Sequence, residues 1–388
     1  MHFGSLKINP SLTVERYYTD NFFPRDYIIV QQEPGKEPII KKIKTSKWTT
    51  TITPSLYFSL PLGRNSVDLG YTFRHYSVQD LSEFTTKNHE ISSTSKWYFI
   101  SGFNLAMADT VHFGEGIGYH ATDIIRNYTD NRISITGSYE LTQRFSTKVG
   151  FEDYMIRFKQ DVFKPDNTDR TMINASLLYQ IMPKTFIGIE YSRERTDRQG
   201  TPARNTDHTT QDYGVTIQLE DPDGRLSGEL RAGTEKLTYD DKSLNQMNNL
   251  FGFTADLTFK KSNYTTITFS GSRYQASTGI TTEDAQYGAS FTTTSFTLGL
   301  THKFTYKISG TVNYAYVFTT YNTQGAISST PINISRTDTV KRGGVELNYQ
   351  IREWLGFAVK CYYTQDDSNL PQESYIKKDI MTTIIFRF

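Results

Sequence analysis

Seven histidines are the side chains best suited to hold a metal ion or move a proton: His2, His75, His89, His112, His120, His208 and His302. No two stand four residues apart, the spacing a helical zinc site needs, and His89-Glu90 lacks the second histidine of a His-Glu-x-x-His pattern. Gly114-Glu115-Gly116-Ile117-Gly118 is glycine-rich. It is not followed by the Lys-Ser/Thr pair of a phosphate-binding loop and reads as a loop or a strand kink. Cys361, the single cysteine, permits neither an internal disulfide nor a thiolate cluster, and no Cys-x-x-Cys-His haem attachment exists. The expectation is a protein with no catalytic residue, no cofactor and no metal.

The chemistry the chain does carry is charge at alternate positions. Asp68, Arg74, Glu140, Lys148, Glu152, Glu190, Glu194, Glu220, Glu229, Arg231, Glu235, Asp256, Lys260, Lys360, Lys377, Asp379 and Arg387 all fall on the polar side of segments whose other side is apolar. Ile173, Ala175, Leu177, Tyr179 and Ile181 oppose Asn174, Ser176 and Gln180; Tyr213, Val215, Ile217 and Leu219 oppose Asp212, Thr216, Gln218 and Glu220. A lipid-facing Arg or Lys costs about 2–4 kcal/mol near the bilayer midplane. These charges must therefore face water or one another, and they are expected to line a hydrated, mixed-charge pore.

The elements that position them are strands. Hydrophobic residues make up only 37% of the chain, and no apolar run reaches the length of a membrane helix. In a barrel strand only every second residue meets lipid, so low hydropathy does not exclude a membrane protein. The net charge of +1 offers no footprint for nucleic acid. Short and long connections alternate along the chain. The short ones are 62–65, 101–102, 142–144, 182–184, 221–224, 260–263, 305–306 and 352–353, recurring roughly every 40 residues, the length of two strands and a loop. The long ones include 19–46, 114–127, 159–170, 195–210, 320–338 and 365–374; Gln32 to Pro38, with two prolines and a glycine, cannot be a strand. Eight short turns and nine long loops join about eighteen strands (16–18) of an all-β, antiparallel transmembrane barrel, one domain over residues 1–388. A propeller blade has a similar period but holds four short strands rather than two long ones.

The last strand alternates Ile380, Thr382, Ile384, Phe386 and Phe388 against Lys377, Asp379, Met381, Thr383, Ile385 and Arg387. It resembles the closing strand of outer-membrane barrels, with Phe386 and Phe388 as the assembly signal, and is expected to pair with Leu6 to Tyr17. No signal peptide opens the chain, which is read as a mature form placed in the outer membrane of a Gram-negative bacterium, short turns and termini periplasmic. Aromatics near the short turns (Phe145, Phe186, Phe259, Trp354) and the long loops (Tyr17, Tyr18, Tyr128, Tyr191, Tyr239, Tyr321) are expected to form two girdles at the headgroups.

Pro10-Ser11-Leu12 leading to Tyr18-Thr19-Asp20-Asn21-Phe22, and Thr53-Pro54-Ser55-Leu56 on the second strand, resemble the opening strands of the putative β-barrel porin 2 family. That resemblance implies an exit port for a secreted exopolysaccharide, without catalytic residues. Composition equally permits a general or solute-selective diffusion porin, and a scaffold around a periplasmic protein is a further alternative. The expected partners are outer-membrane lipid and lipopolysaccharide, the barrel-assembly machinery and a periplasmic polysaccharide export protein. If the faces are read correctly, Ile217→Arg, Val312→Arg or Ile384→Arg impairs membrane assembly and Thr216→Arg is tolerated.

Overall fold

The computed structural model describes residues 2–388 apart from 24–26, 32–38, 43, 117–124, 201–205, 222, 245–248, 278–289, 323–334 and 372. The proline-rich stretch 32–38, His120 and Ile117-Gly118 thus lie outside the described residues. One antiparallel sheet of nineteen strands holds the chain together. The two-residue piece His2–Phe3 only extends Leu6 and Lys7, which leaves eighteen long strands.

In chain order these are β1 Leu6–Thr19, β2 Lys47–Leu62, β3 Asn65–Val78, β4 Thr86–Tyr98, β5 Phe103–Gly116, β6 Arg126–Glu140, β7 Phe145–Phe158, β8 Thr168–Met182 and β9 Thr185–Arg198. They continue as β10 His208–Glu220, β11 Leu226–Tyr239, β12 Leu250–Lys260, β13 Thr265–Ser277, β14 Ser290–Lys303, β15 Ile308–Asn322, β16 Thr337–Arg352, β17 Leu355–Ser368 and β18 Tyr375–Arg387. Each pairs with its chain neighbour, and β18 returns to β1 through the register Ser11↔Arg387 to Thr19↔Asp379. The barrel is closed, which removes the sheet edges that would otherwise seek partners. Closure uses Ser11 to Thr19 of the first strand, beginning five residues later (11 − 6) and ending two residues later (19 − 17) than the alternation of Leu6 to Tyr17 suggests.

All eight expected short turns join strands, and nine longer connections alternate with them. The strands reach further into the long loops than the polar composition indicates: 114–116, 195–198, 208–210, 320–322 and 365–368 are paired. Local chemistry fixes the tight ends. The hydroxyls of Thr142, Ser262 and Thr305 accept backbone N–H bonds from the residues two and three ahead, at 3.0–3.2 Å, side-chain mimics of a backbone turn. Between β8 and β9 the turn Met182-Pro183-Lys184-Thr185 places Lys184 at φ +63°. Proline at the second position and positive φ at the third are the pattern of a type II turn.

Exposed large side chains crowd one face of the sheet, among them Ile173 (52%), Ile189 (63%), Val215 (48%) and Val312 (53%). Buried apolar clusters sit instead at the long-loop end.

Candidate functional site

Cross-strand register carries a face assignment from strand to strand. Ser176 opposes both Lys148 and Glu190, Glu190 opposes Gly214, and Gly214 opposes Gly233, which shares its face with Glu229, Arg231 and Glu235. Followed around the barrel, this parity puts all seventeen sequence-selected charges on one face. Asp68 and Arg74 lie on β3, Glu140 on β6, Lys148 and Glu152 on β7, Glu190 and Glu194 on β9, and Glu220 on β10. Glu229, Arg231 and Glu235 lie on β11, Asp256 and Lys260 on β12, Lys360 on β17, and Lys377, Asp379 and Arg387 on β18. The opposite face is that of Ile173, Ile189, Val215 and Val312.

The charged face is the concave one. Arg198 on β9 donates to Ser277 on β13 at 2.9 Å, four strands away. A cavity of about 460 Å³ is lined by side chains contributed by β7 to β11 and by β13. Only side chains that converge on the inside of a cylinder can meet in this way.

Glu152, Glu190, Glu194, Arg231, Lys360, Lys377 and Asp379 stand in ion pairs that form a belt. Glu152 accepts from Arg170 on β8 at 2.8 Å and lies 3.6 Å from Arg132 on β6, while Arg170 also approaches Glu194 at 3.8 Å. Arg231 contacts Glu190 at 2.8 Å and Asp212 at 2.7 Å. His112 on β5 stands between Glu90 and Asp130, at 3.2 and 2.8 Å. On the far side Lys360 meets Glu346 at 3.4 Å and Lys377 meets Asp379 at 3.5 Å. Arg132, Arg170, Asp130, Glu90 and Glu346 are belt members outside the seventeen, and Asp212, placed on the polar side by the alternation of β10, joins them. Counting by twos from Glu140 along β6 reaches Arg132 and Asp130, so the signal was present in the alternation. Glu220 stays outside the belt, paired with Lys184 at the short-turn rim at 2.6 Å.

Glycine makes the reach of Arg231 possible. Gly214 and Gly233 face each other on β10 and β11. A Cβ on Gly214 would stand 3.3 Å from the Arg231 Nε. Its absence leaves the path along which the guanidinium crosses β10.

A contrasting sector spans β13 to β15. Thr268, Ser270, Ser272, Thr297, Thr311 and Asn313 share the concave face there, and hydroxyls pair across strands: Ser272 with Ser295 at 2.8 Å, Thr301 with Thr311 at 3.0 Å. From Thr266 to Ser272, from Phe291 to Thr301 and from Ser309 to Tyr321, this face carries no charge.

At the long-loop end, loop residues fold onto inward-facing aromatic and aliphatic side chains. Phe23 and Phe84 cover Val78 beside Tyr76; Leu244 covers Leu237 and Tyr239; Leu370 covers Tyr321. Phe163 meets Phe158 at 6.2 Å between ring centroids. Arg336, fully buried, pairs with Asp338 at 2.7 Å and Glu373 at 3.3 Å and lies over the Tyr321 ring. Burial works against the Arg336 charge, but the hydrogen bond to Asp338 and the Glu373 carboxylate outweigh it and raise its pKa. In the loop after β11, the hydrogen bond from Arg195 holds Asp240 below the usual carboxylate range.

The expected girdles need correction. Tyr17, Tyr128, Tyr239 and Tyr321 face inward with the belt, and Tyr17 donates to Asp379 at 2.7 Å; Phe186 faces inward at the other end. Tyr18 and Tyr191 of the expected set do face outward, in pairs with Trp48 and Tyr213 whose centroids lie 5.0 and 4.9 Å apart. Aromatics sort to strand ends on both faces, so position along the strand did not distinguish them.

A sequence profile described as putative β-barrel porin 2 matches residues 166–388, more than half of the chain. Among solved structures, the chain is similar to OpdK of Pseudomonas aeruginosa with vanillate, at 11% identity, 98% coverage of this chain and 99% of that one, TM-score 0.49. It is also similar to the siderophore receptor PirA of Pseudomonas aeruginosa (10%, 98% and 80%, TM-score 0.47) and to OccAB4 of Acinetobacter baumannii (10%, 98% and 98%, TM-score 0.46). No curated protein matches the sequence. An eighteen-stranded closed barrel with an apolar outside and a charged inside is an outer-membrane porin-like barrel, and the chain belongs to the putative β-barrel porin 2 family.

Proposed function

We propose that this barrel is a non-catalytic, hydrated channel for polar solutes in the outer membrane of a Gram-negative bacterium. The seventeen sequence-selected charges line its pore, with short turns periplasmic and long loops outside. One observation carries the reading: the concave face of a closed eighteen-strand barrel carries the selected charges and is predominantly polar, while the convex face carries large exposed apolar side chains such as Ile173, Ile189, Val215 and Val312. At this strand number a barrel is wide enough to leave an aqueous channel. Its surroundings are outer-membrane lipid and lipopolysaccharide, and it reaches them through the barrel-assembly machinery. The test is a planar bilayer. Purified protein is expected to conduct ions in discrete steps; a folded barrel that stays silent, even after single deletions of the long loops, would remove the channel reading.

A narrower reading is the exit of a secreted polysaccharide. The uncharged hydroxyl sector of β13 to β15 supports it, because hydroxyls and amides exchange hydrogen bonds with sugar hydroxyls without holding them. The driving energy and a periplasmic export partner would come from outside this chain. Gene deletion separates the readings: loss of secreted polysaccharide supports export, whereas slowed solute uptake with normal secretion supports a diffusion porin.

A further inference from the structure

A cavity of about 1090 Å³ opens at the short-turn end, among the turns that follow β12, β14 and β16. Lys303, Lys307 and Arg387 line it, and no Asp or Glu does. This sets it apart from the belt, where Arg132, Arg170, Arg231, Lys360 and Lys377 each meet a carboxylate. Among the described residues, Lys303, Lys307 and Arg387 have no carboxylate within 4.0 Å.

Solvated cations at a rim need no ligand, but two of these are held in place. Thr305 accepts the backbone N–H of Lys307 at 3.1 Å, which fixes the turn. Gln350 accepts from Arg387 at 3.2 Å through Oε1, while its Nε2 donates to backbone carbonyls of the turn after β16, that of Leu355 at 3.2 Å. That amide is saturated and serves as a bracket. Asn263 and Asn348 also line the cavity, and their side chains have no hydrogen-bond partner among the described residues. Ala358 and Ile385 supply an apolar floor.

We infer that the short-turn mouth binds a polyhydroxylated carboxylate, the chemical class of the acidic sugars, between the cations Lys303, Lys307 and Arg387 and the unengaged amides of Asn263 and Asn348. The inference rests on the channel reading and deepens it by naming a solute class. A guanidinium pairs with a carboxylate through two parallel bonds, and a lysine adds a compact charge. The amides offer both donors and acceptors to hydroxyls, and the floor accepts the carbon skeleton. The site is open to water and salt, so binding is weak and falls with ionic strength.

Isothermal titration of the full-length barrel in detergent at low salt, with glucuronate as the probe, tests this. Glucuronate is expected to bind saturably with a Kd on the order of 1 mM. Glucose, with hydroxyls alone, and acetate, with charge alone, are expected to bind at least about tenfold more weakly, a difference of roughly 1.4 kcal/mol. The triple variant Lys303→Gln, Lys307→Gln, Arg387→Gln should lose a similar factor; Arg387→Gln alone serves if the triple variant does not show the heat-resistant gel migration of a folded barrel. Equal binding of acetate and glucuronate, or undiminished binding by the variants, overturns the site. Conductance without glucuronate binding also overturns the site and leaves the channel. Binding by a barrel that does not conduct keeps the site and removes the channel.

Discussion

The guanidinium of Arg231 reaches across a whole strand to Glu190: its Nε lies 2.8 Å from Oε2, with β10 between them. The path runs over Gly214, where a side chain would press on the Arg231 Nε. Sequence chooses the glycine, the glycine admits the long-range pair, and the pair ties three strands on the inner wall. Arg231→Gln leaves Glu190 and Asp212 without this cation. Breaking a fully buried pair costs about 3–5 kcal/mol; partial exposure to luminal water reduces this to roughly 1–3 kcal/mol. Urea unfolding in liposomes should show the loss, and the ion permeability ratio should move toward cations. Glu190→Gln combined with Arg231→Gln should recover part of the stability. An unchanged unfolding midpoint for Arg231→Gln would show that the pair holds nothing.

The alternation of β8, β10 and β18 announced the faces because large apolar residues stand opposite polar or charged ones there. Seven of the eight short turns were visible because Gly, Pro, Asn or Thr stands between alternating runs, and Arg352-Glu353 shows only as a break in the alternation. On β14, Ser290-Phe291-Thr292-Thr293-Thr294-Ser295 is too uniform in polarity to show its faces, and only pairing with β13 and β15 assigns them. The reach of Arg231 depends on curvature, which brings β9 and β11 toward each other on the inside, and no local pattern encodes that. The long arm of the clamp joins Arg336 to Glu373, 37 residues further on (373 − 336), in segments whose composition reads only as loop.

The lipid-face test changes in one respect once burial is considered. Val312 and Ile384 are exposed on the convex face, 53% and 38%. Arginine at either, or at Ile217 on the same face, should cost about 2–4 kcal/mol if near the midplane and reduce assembly into vesicles. Thr216 does lie on the concave face, but it is fully buried and donates to Glu229 at 3.2 Å. Arginine there has no room and should also impair folding. Thr268→Arg is the sound control, since Thr268 is exposed on the concave side and faces Gly299. If Thr268→Arg blocks assembly while Val312→Arg does not, the faces are reversed.

Cys361 needs no mutation to report on the same question. It is exposed and lies on the convex face, opposite Val345 and Ile380. In native membranes a charged, water-soluble maleimide should leave it unmodified, because thiolate formation and reagent access both require water. Urea-unfolded protein should react fully. Rapid labelling of the folded, membrane-embedded barrel would mean that this face is not covered by lipid.

Arg336 anchors the loop between β17 and β18 to the start of β16 through Glu373 and Asp338. It is fully buried, so Arg336→Gln should cost locally about 3–5 kcal/mol. Hydrogen exchange of a peptide covering residues 369–374 should accelerate strongly, while strands on the far side of the barrel keep their protection. Equal exchange in both proteins would show that the loop is held by Leu370 against Tyr321 and not by the charges.

Lys184 sets a conformational cost against an electrostatic gain. Its φ of +63° is a left-handed conformation in a non-glycine residue, disfavoured by roughly 1–2 kcal/mol. The same side chain reaches Glu220 at 2.6 Å, about half exposed on both partners. Such exposed pairs contribute about 0–1 kcal/mol. The backbone term is the larger, so Lys184→Gly should raise the unfolding midpoint in urea even though the ion pair is lost. Lys184→Ala keeps the strained backbone, loses the pair, and should be less stable than the wild type. If Lys184→Gly is destabilised as much as Lys184→Ala, the ion pair outweighs the turn, and the short-turn rim is held by charge rather than by backbone geometry.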